Sequence, residues 1–229
     1  MLRKIITTTL MFTLVVGGYY LWLDKTRESL EISALDSIAA IEDVQSADDT
    51  SPVPEVREMT LGHEDAAVTI IEYASFTCPH CARFHETVFG KLRANYIETG
   101  KVRFIQRDVY FDRFGLWASM LARCGDGSKF FGIADMVFTT QREWTKGETN
   151  LEVVTNLKKI GRLAGMDGDQ MDACLQDNAK ARALIAAYQA NSERDGINST
   201  PSFLINGEKY PNMSYEDFAK VLDGLAVAQ

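Results

Sequence analysis

A nearly continuous apolar run, Val68-Thr-Ile-Ile-Glu-Tyr73, is followed five residues later by Cys78-Pro79-His80-Cys81 and then by a helical pattern. β-Branched side chains on both faces mark a central strand buried between layers, with Glu72 as the charged exception. Pro79 suits the first turn of a helix. Phe84, Val88, Leu92 and Tyr96 then recur every fourth residue, as one face of a helix requires. Strand, tight turn and helix therefore meet at two cysteines. Gly100 ends the helix, and Val102-Arg-Phe-Ile-Gln-Arg107 is the next expected strand.

The pattern changes between residues 112 and 195. Stretches 116–124, 130–140, 151–163 and 169–194 all read at helical period, with no strand signal among them. Four helices between strands are expected to form an inserted helical domain. Strand character returns at Ser202-Phe-Leu-Ile-Asn206 and Glu208-Lys-Tyr210, joined by Asn206-Gly207, a strong hairpin signal. Ser214 opens a last helix, with Asp217 at the acidic third position of a capping box. The expected class is α/β, with a sheet domain from 59–111 and 196–229 and helices from 112–195.

Ahead of this lie Arg3 and Lys4, then 19 uncharged residues from Ile5 to Leu23. That length suits a spanning helix better than a signal core of about 7–15 residues. Tyr19, Tyr20 and Trp22 suit a membrane interface, and no convincing cleavage site follows. Residues 1–23 are therefore expected to be an uncleaved signal-anchor, with a cleaved signal as the alternative. Arg3 and Lys4 favour a cytoplasmic N-terminus, although Lys25 and Arg27 flank the other side. Residues 24–58 are polar and acidic, ending in Pro52 and Pro54; they read as a tether.

The formal net charge is −8, and without a basic cluster nucleic acid is excluded as a partner. The four cysteines are Cys78, Cys81, Cys124 and Cys174. An even count behind an export segment suits an oxidising compartment. Of three possible pairings, one keeps Cys78 with Cys81 and leaves Cys124 with Cys174. A zinc site would need about four converging ligands, and only His80 and His85 lie near the pair. A two-residue loop gains little stability from cross-linking. Thiol exchange explains the surroundings better. Cys78 falls at a helix N-terminus, where unpaired N–H groups and the dipole favour a thiolate. His80 can add a charge or a hydrogen bond. Cys81, one turn inward, is the expected resolving thiol. Glu72 is expected inside the sheet, where a buried acid can relay the proton Cys81 must lose; an edge Glu facing water is the alternative.

Taken together, Glu72-Tyr-Ala-Ser-Phe-Thr-Cys-Pro-His-Cys81, the helical insertion, and Ser199-Thr200-Pro201-Ser-Phe-Leu-Ile-Asn-Gly207 resemble the DsbA-like thiol:disulfide oxidoreductases of the thioredoxin superfamily. The resemblance runs from about residue 60 to the C-terminus. It implies a thioredoxin-like fold with an inserted helical domain, preceded here by an N-terminal membrane anchor. It implies a cis Pro201 facing the active site, with the Thr200 backbone offered to an extended substrate chain. It implies catalysis by Cys78, Pro79, His80 and Cys81, with a low thiol pKa and an oxidising couple. Cys124 and Cys174 become a second, non-catalytic disulfide, with two buried thiols as the alternative.

The expected function is donation of the Cys78–Cys81 disulfide to unfolded exported proteins bearing free thiols, on the periplasmic side of the inner membrane. If the signal is cleaved, the enzyme would be soluble in the periplasm. A membrane reoxidase of the quinone-linked type is implied as partner. No organic cofactor or metal is needed, because the dithiol is the redox group, and a monomer is expected. The rivals are a reductase or isomerase of the same fold, a tethered metal-binding assembly factor that uses the cysteines as ligands, and a holdase.

Overall fold

The computed structural model describes residues 55–227. The expected anchor and most of the tether lie outside the described residues. Among the described residues no helix is long and apolar enough to cross a membrane.

Strand β2 (Val68–Ala74) is central. It pairs in parallel with β3 (Val102–Asp108) on one side and antiparallel with β4 (Ser202–Ile205) on the other. β1 (Met59–Leu61) and β5 (Glu208–Pro211) are the edges, giving the order β1-β3-β2-β4-β5. At three residues, β1 is too short to show a period, so its strand character does not emerge from the sequence. The β4–β5 hairpin turns on Asn206 and Gly207, at φ 48° and 88°, as a two-residue loop with both φ positive requires.

The parallel β2–β3 pair needs a crossover, supplied by one helical run: α1 (Pro79–Phe84), a π-helical turn (His85–Phe89), α2 (Gly90–Leu92) and a second π-helical turn (Arg93–Ile97). The four-residue apolar repeat identifies the run; it cannot reveal where the bonding shifts to the five-residue spacing of a π-helix. Phe84, Leu92 and Ile97 pack with Ile70, Phe104, Phe203 and Phe218 in one core. Each such side chain stabilises the fold by about 1.5–3 kcal/mol when fully buried.

The insertion contains six helices rather than four: α3 (Arg113–Ala122), α4 (Phe130–Thr139), α5 (Gln141–Trp144), α6 (Asn150–Leu163), α7 (Gly168–Leu175) and α8 (Asn178–Arg194). The stretch read as one helix from 169 to 194 breaks at Gln176 and Asp177. There the Asp177 side chain accepts from the backbone N–H of Lys180 and starts α8, an N-cap that competes with continuing the turn. α9 (Tyr215–Val227) closes the fold, with the hydroxyl of Ser214 accepting from the N–H of Asp217.

A second core joins the insertion to the end of β2: Phe76, Cys78, Cys81, Trp117, Leu121, Phe138 and Trp144 lie in it. The two cysteines thus sit where sheet domain and helical insertion meet.

Candidate active site

Ser75, Phe76 and Thr77 carry the chain from β2 to α1, and their polar groups fix the turn. The N–H of Cys78 donates to the carbonyl of Ser75 at 3.1 Å. The Thr77 hydroxyl donates to Asp112 Oδ2 at 2.7 Å, while Asp112 Oδ1 caps α3 by accepting from Gly115. From α5, the Gln141 amide donates to the carbonyls of Phe76 and Cys78 at 2.8 and 3.0 Å.

Cys78 is the N-cap of α1 and Pro79 occupies its first turn. Cys78 is 8 % exposed, Cys81 fully buried, and both are free thiols. The Cys78 thiol is pulled down to about 5. A hydrogen bond from the Cys81 thiol contributes most; burial opposes it; the Thr200 side chain and the backbone N–H groups of Cys81 and His80 add to it. Cys81 moves the opposite way. Burial pushes it far up first, then its bond to Cys78 and the negative charge of Glu72. The environments separate the two sulfurs into one that readily becomes an anion and one held as a thiol.

Thr200 and Pro201 are joined by a cis peptide. Though 122 residues from Cys78 in sequence, the Thr200 carbonyl accepts from the Cys78 thiol at 3.5 Å. Once that proton is lost, the contact offers the thiolate nothing. The Thr200 hydroxyl, buried and otherwise unpartnered, is the group that can then donate to it.

Glu72 is fully buried, and its Oε2 lies 3.1 Å from Nε2 of His85. His85 therefore turns inward from its helix, while the His80 side chain is exposed and acts on Cys78 through its backbone N–H. Among the described residues no group of three or more His, Cys, Asp or Glu side chains converges to hold a metal ion. Cys124 and Cys174 are bonded to each other across 50 residues, Cα atoms 5.7 Å apart. The bridge ties the end of α3 to α7, within the insertion.

Residues 72, 78, 79, 80, 81, 200 and 201 thus come together, and residues 124 and 174 lie apart from them. Two contributors escaped the sequence. Gln141 lies in a short helix of the insertion with nothing local to mark it. In sequence His85 reads only as a candidate metal ligand, although its place four residues after Cys81 puts both on one helical face.

Residues 55–224 match the family described as Thioredoxin. A chain named as a protein-disulfide oxidoreductase from Rickettsia bellii is 34% identical over 167 residues, spanning 72% of this chain and 63% of that one. The chain thus spans slightly less than two thirds of the length of this relative. The crystal structure of alpha-DsbA1 from Wolbachia pipientis superposes with a TM-score of 0.69 at 31% identity, covering 76% of this chain and 92% of that one. Disulfide bond formation protein D of Bacillus subtilis is 24% identical, over 78% of this chain and 82% of its own. With the cysteine pair at the N-terminus of its helix, a cis-proline loop against it and helices inserted after β3, the chain belongs to the DsbA-like thiol:disulfide oxidoreductases of the thioredoxin superfamily.

Proposed function

We propose that this protein oxidises the thiols of unfolded exported proteins by donating a Cys78–Cys81 disulfide. A substrate thiolate attacks Sγ of Cys78, Cys81 leaves, and a mixed disulfide forms on Cys78. A second substrate thiolate attacks the substrate sulfur of that bond and releases Cys78 as a thiolate. The observation that carries this direction is the place of Cys78 at the N-cap of α1 against Thr200, where the Cys81 thiol, Thr200 and backbone N–H groups pull its thiol down to about 5. A well-stabilised thiolate leaves readily, so equilibrium favours the reduced enzyme and the oxidised substrate. Thr200 and Pro201 are the proposed substrate-binding pair, with the Thr200 backbone facing an extended chain. Cys124–Cys174 is the proposed structural disulfide.

The dithiol is the redox group in this scheme. Electrons must leave by reoxidation, for which a quinone-linked partner in the membrane is proposed. The proposed location is the periplasmic face of the inner membrane, with residues 1–23 as anchor. A reductase or isomerase would share the site and differ in potential.

The disulfide form, mixed stoichiometrically with a reduced, unfolded thiol protein, should oxidise it in minutes, and Cys78→Ala should not. A reduction potential near −120 mV supports donation, whereas one near −270 mV makes the protein a reductase.

A further inference from the structure

The acid beneath the dithiol has a partner to which the exchange scheme assigns no task. Glu72 and His85 are both buried, at 0 and 5 % exposure, with Oε2 and Nε2 3.1 Å apart. The imidazole is fixed as a plate. It stacks on Phe138 at 4.0 Å and 18°, and Phe84 and Phe89 pack on it at 5.5 and 4.6 Å between centroids. Glu72 Oε1 is buried with no hydrogen-bond partner. A buried acceptor left unpaired is costly. The neighbouring group with a proton to exchange is Cys81, which feels the Glu72 charge and shares a helical face with His85.

We infer that His85 is a positioning residue for the exchange reaction: its Nε2–H holds Oε2 of Glu72, so that Oε1 trades a proton with Sγ of Cys81. The inference rests on the proposed dithiol chemistry. When a substrate thiolate attacks Sγ of Cys78, the Cys78–Cys81 bond breaks and its electron pair leaves on Cys81. The proton that neutralises Cys81 comes from the Glu72 carboxyl. On reoxidation Cys78 is joined to a sulfur of the oxidant. Glu72 Oε1 takes the Cys81 proton, Cys81 attacks Sγ of Cys78, and the oxidant sulfur departs with the electron pair. Both directions need a carboxyl group held in one place within a dry site, and the plate formed by His85 supplies that.

Cys81 reaches the pair from the helix side. In β3, Gln106 stands in register with Glu72, and Asp108, two residues on, is paired with Arg123 at 2.8 Å. Phe203 of β4 is in register on the other side.

The test uses the full-length dithiol protein and dithiobis-nitrobenzoate, which releases one coloured thiolate when Cys78 attacks it and a second when Cys81 closes the disulfide. For His85→Phe, the ratio of second-phase to first-phase rate at pH 7 should fall about tenfold or more, part of the ~10²–10⁴ a placed acid–base group provides. The pH midpoint of the second phase should also move up. His85→Gln, whose amide can still donate to Oε2, should retain the ratio within a few-fold. Glu72→Gln should slow the second phase, and adding His85→Phe should slow it no further, since His85 acts through Glu72. A wild-type ratio and profile in His85→Phe overturns the inference. So does equal slowing by Phe and Gln with an unmoved profile, or an additive double variant. The dithiol reading itself fails separately, if the wild-type protein releases no second thiolate or if Cys78→Ala keeps the first phase.

Discussion

The side-chain amide of Gln141 donates to the backbone carbonyl of Cys78 at 3.0 Å. Its second bond, to the carbonyl of Phe76 at 2.8 Å, spans the turn that leads into Cys78. One buried side chain of the helical insertion thus holds both ends of the turn between β2 and α1. Gln141→Leu keeps the volume and leaves two carbonyls without this donor. The expected cost is about 1–3 kcal/mol, measured by urea unfolding of the reduced protein. Because the turn loosens, iodoacetamide should alkylate Cys78 with a titration shifted upward. A variant as stable as wild type with an unchanged titration would mean the insertion merely covers the site.

The anion at Cys78 is held chiefly by the Cys81 thiol, then by Thr200 and two backbone N–H groups. Cys81→Ala removes the first donor and should raise the thiolate titration, read from absorbance near 240 nm, well above about 5. Cys81→Ser keeps an O–H in its place and should raise it less. Thr200→Val removes a hydroxyl that has no other partner, and should shift it by a smaller amount than Cys81→Ala. If Ala and Ser behave alike, the backbone N–H groups hold the charge and the thiol does not.

Much of this arrangement is legible in the chain because its signals are local. The apolar run of β2, Pro79 at the helix start and Asn206-Gly207 each specify their own conformation within a few residues. What binds the site together is not local. Cys78 meets Thr200 across 122 residues and Gln141 across 63, and no periodicity encodes such a pairing. Thr200 and Pro201 became visible through the family resemblance. Gln141 had no such guide. The broken helix at Asp177 shows a third case, where a cap residue inside an unbroken helical period decides the boundary.

Reduced and disulfide forms should differ in stability in a pH-dependent way. The folded Cys78 thiol lies at about 5 against an ordinary value of 9.0. A depressed acid stabilises the fold above its unfolded value, and that stabilisation is lost as pH falls through the folded one. Cys81, pushed upward, stays protonated folded and unfolded below about pH 8, so Cys78 sets the slope there. The reduced form should therefore gain Tm over the disulfide form between pH 5 and 8. The gap should narrow toward pH 5. A gap constant over that range would contradict a thiolate at Cys78.

At the end of β3, Asp108 accepts from Ser119 at 2.7 Å, from Arg123 at 2.8 Å and from Gln106 at 3.0 Å. Arg123 reaches on to the carbonyl of Arg57 at 2.9 Å, and its neighbour Cys124 carries the bridge to Cys174. This buried ion pair fastens α3 to the sheet, so it transmits the sheet's position to the insertion that holds Gln141. Arg123→Met leaves a buried carboxylate without its counter-charge, and the expected loss is about 3–5 kcal/mol. Adding Asp108→Asn removes that charge and should restore part of the loss, because a neutral amide can still bond to Ser119. Denaturant unfolding of the single and double variants measures both. If Arg123→Met costs under about 1 kcal/mol, or the double variant is no better than the single, the pair is not what joins the two parts.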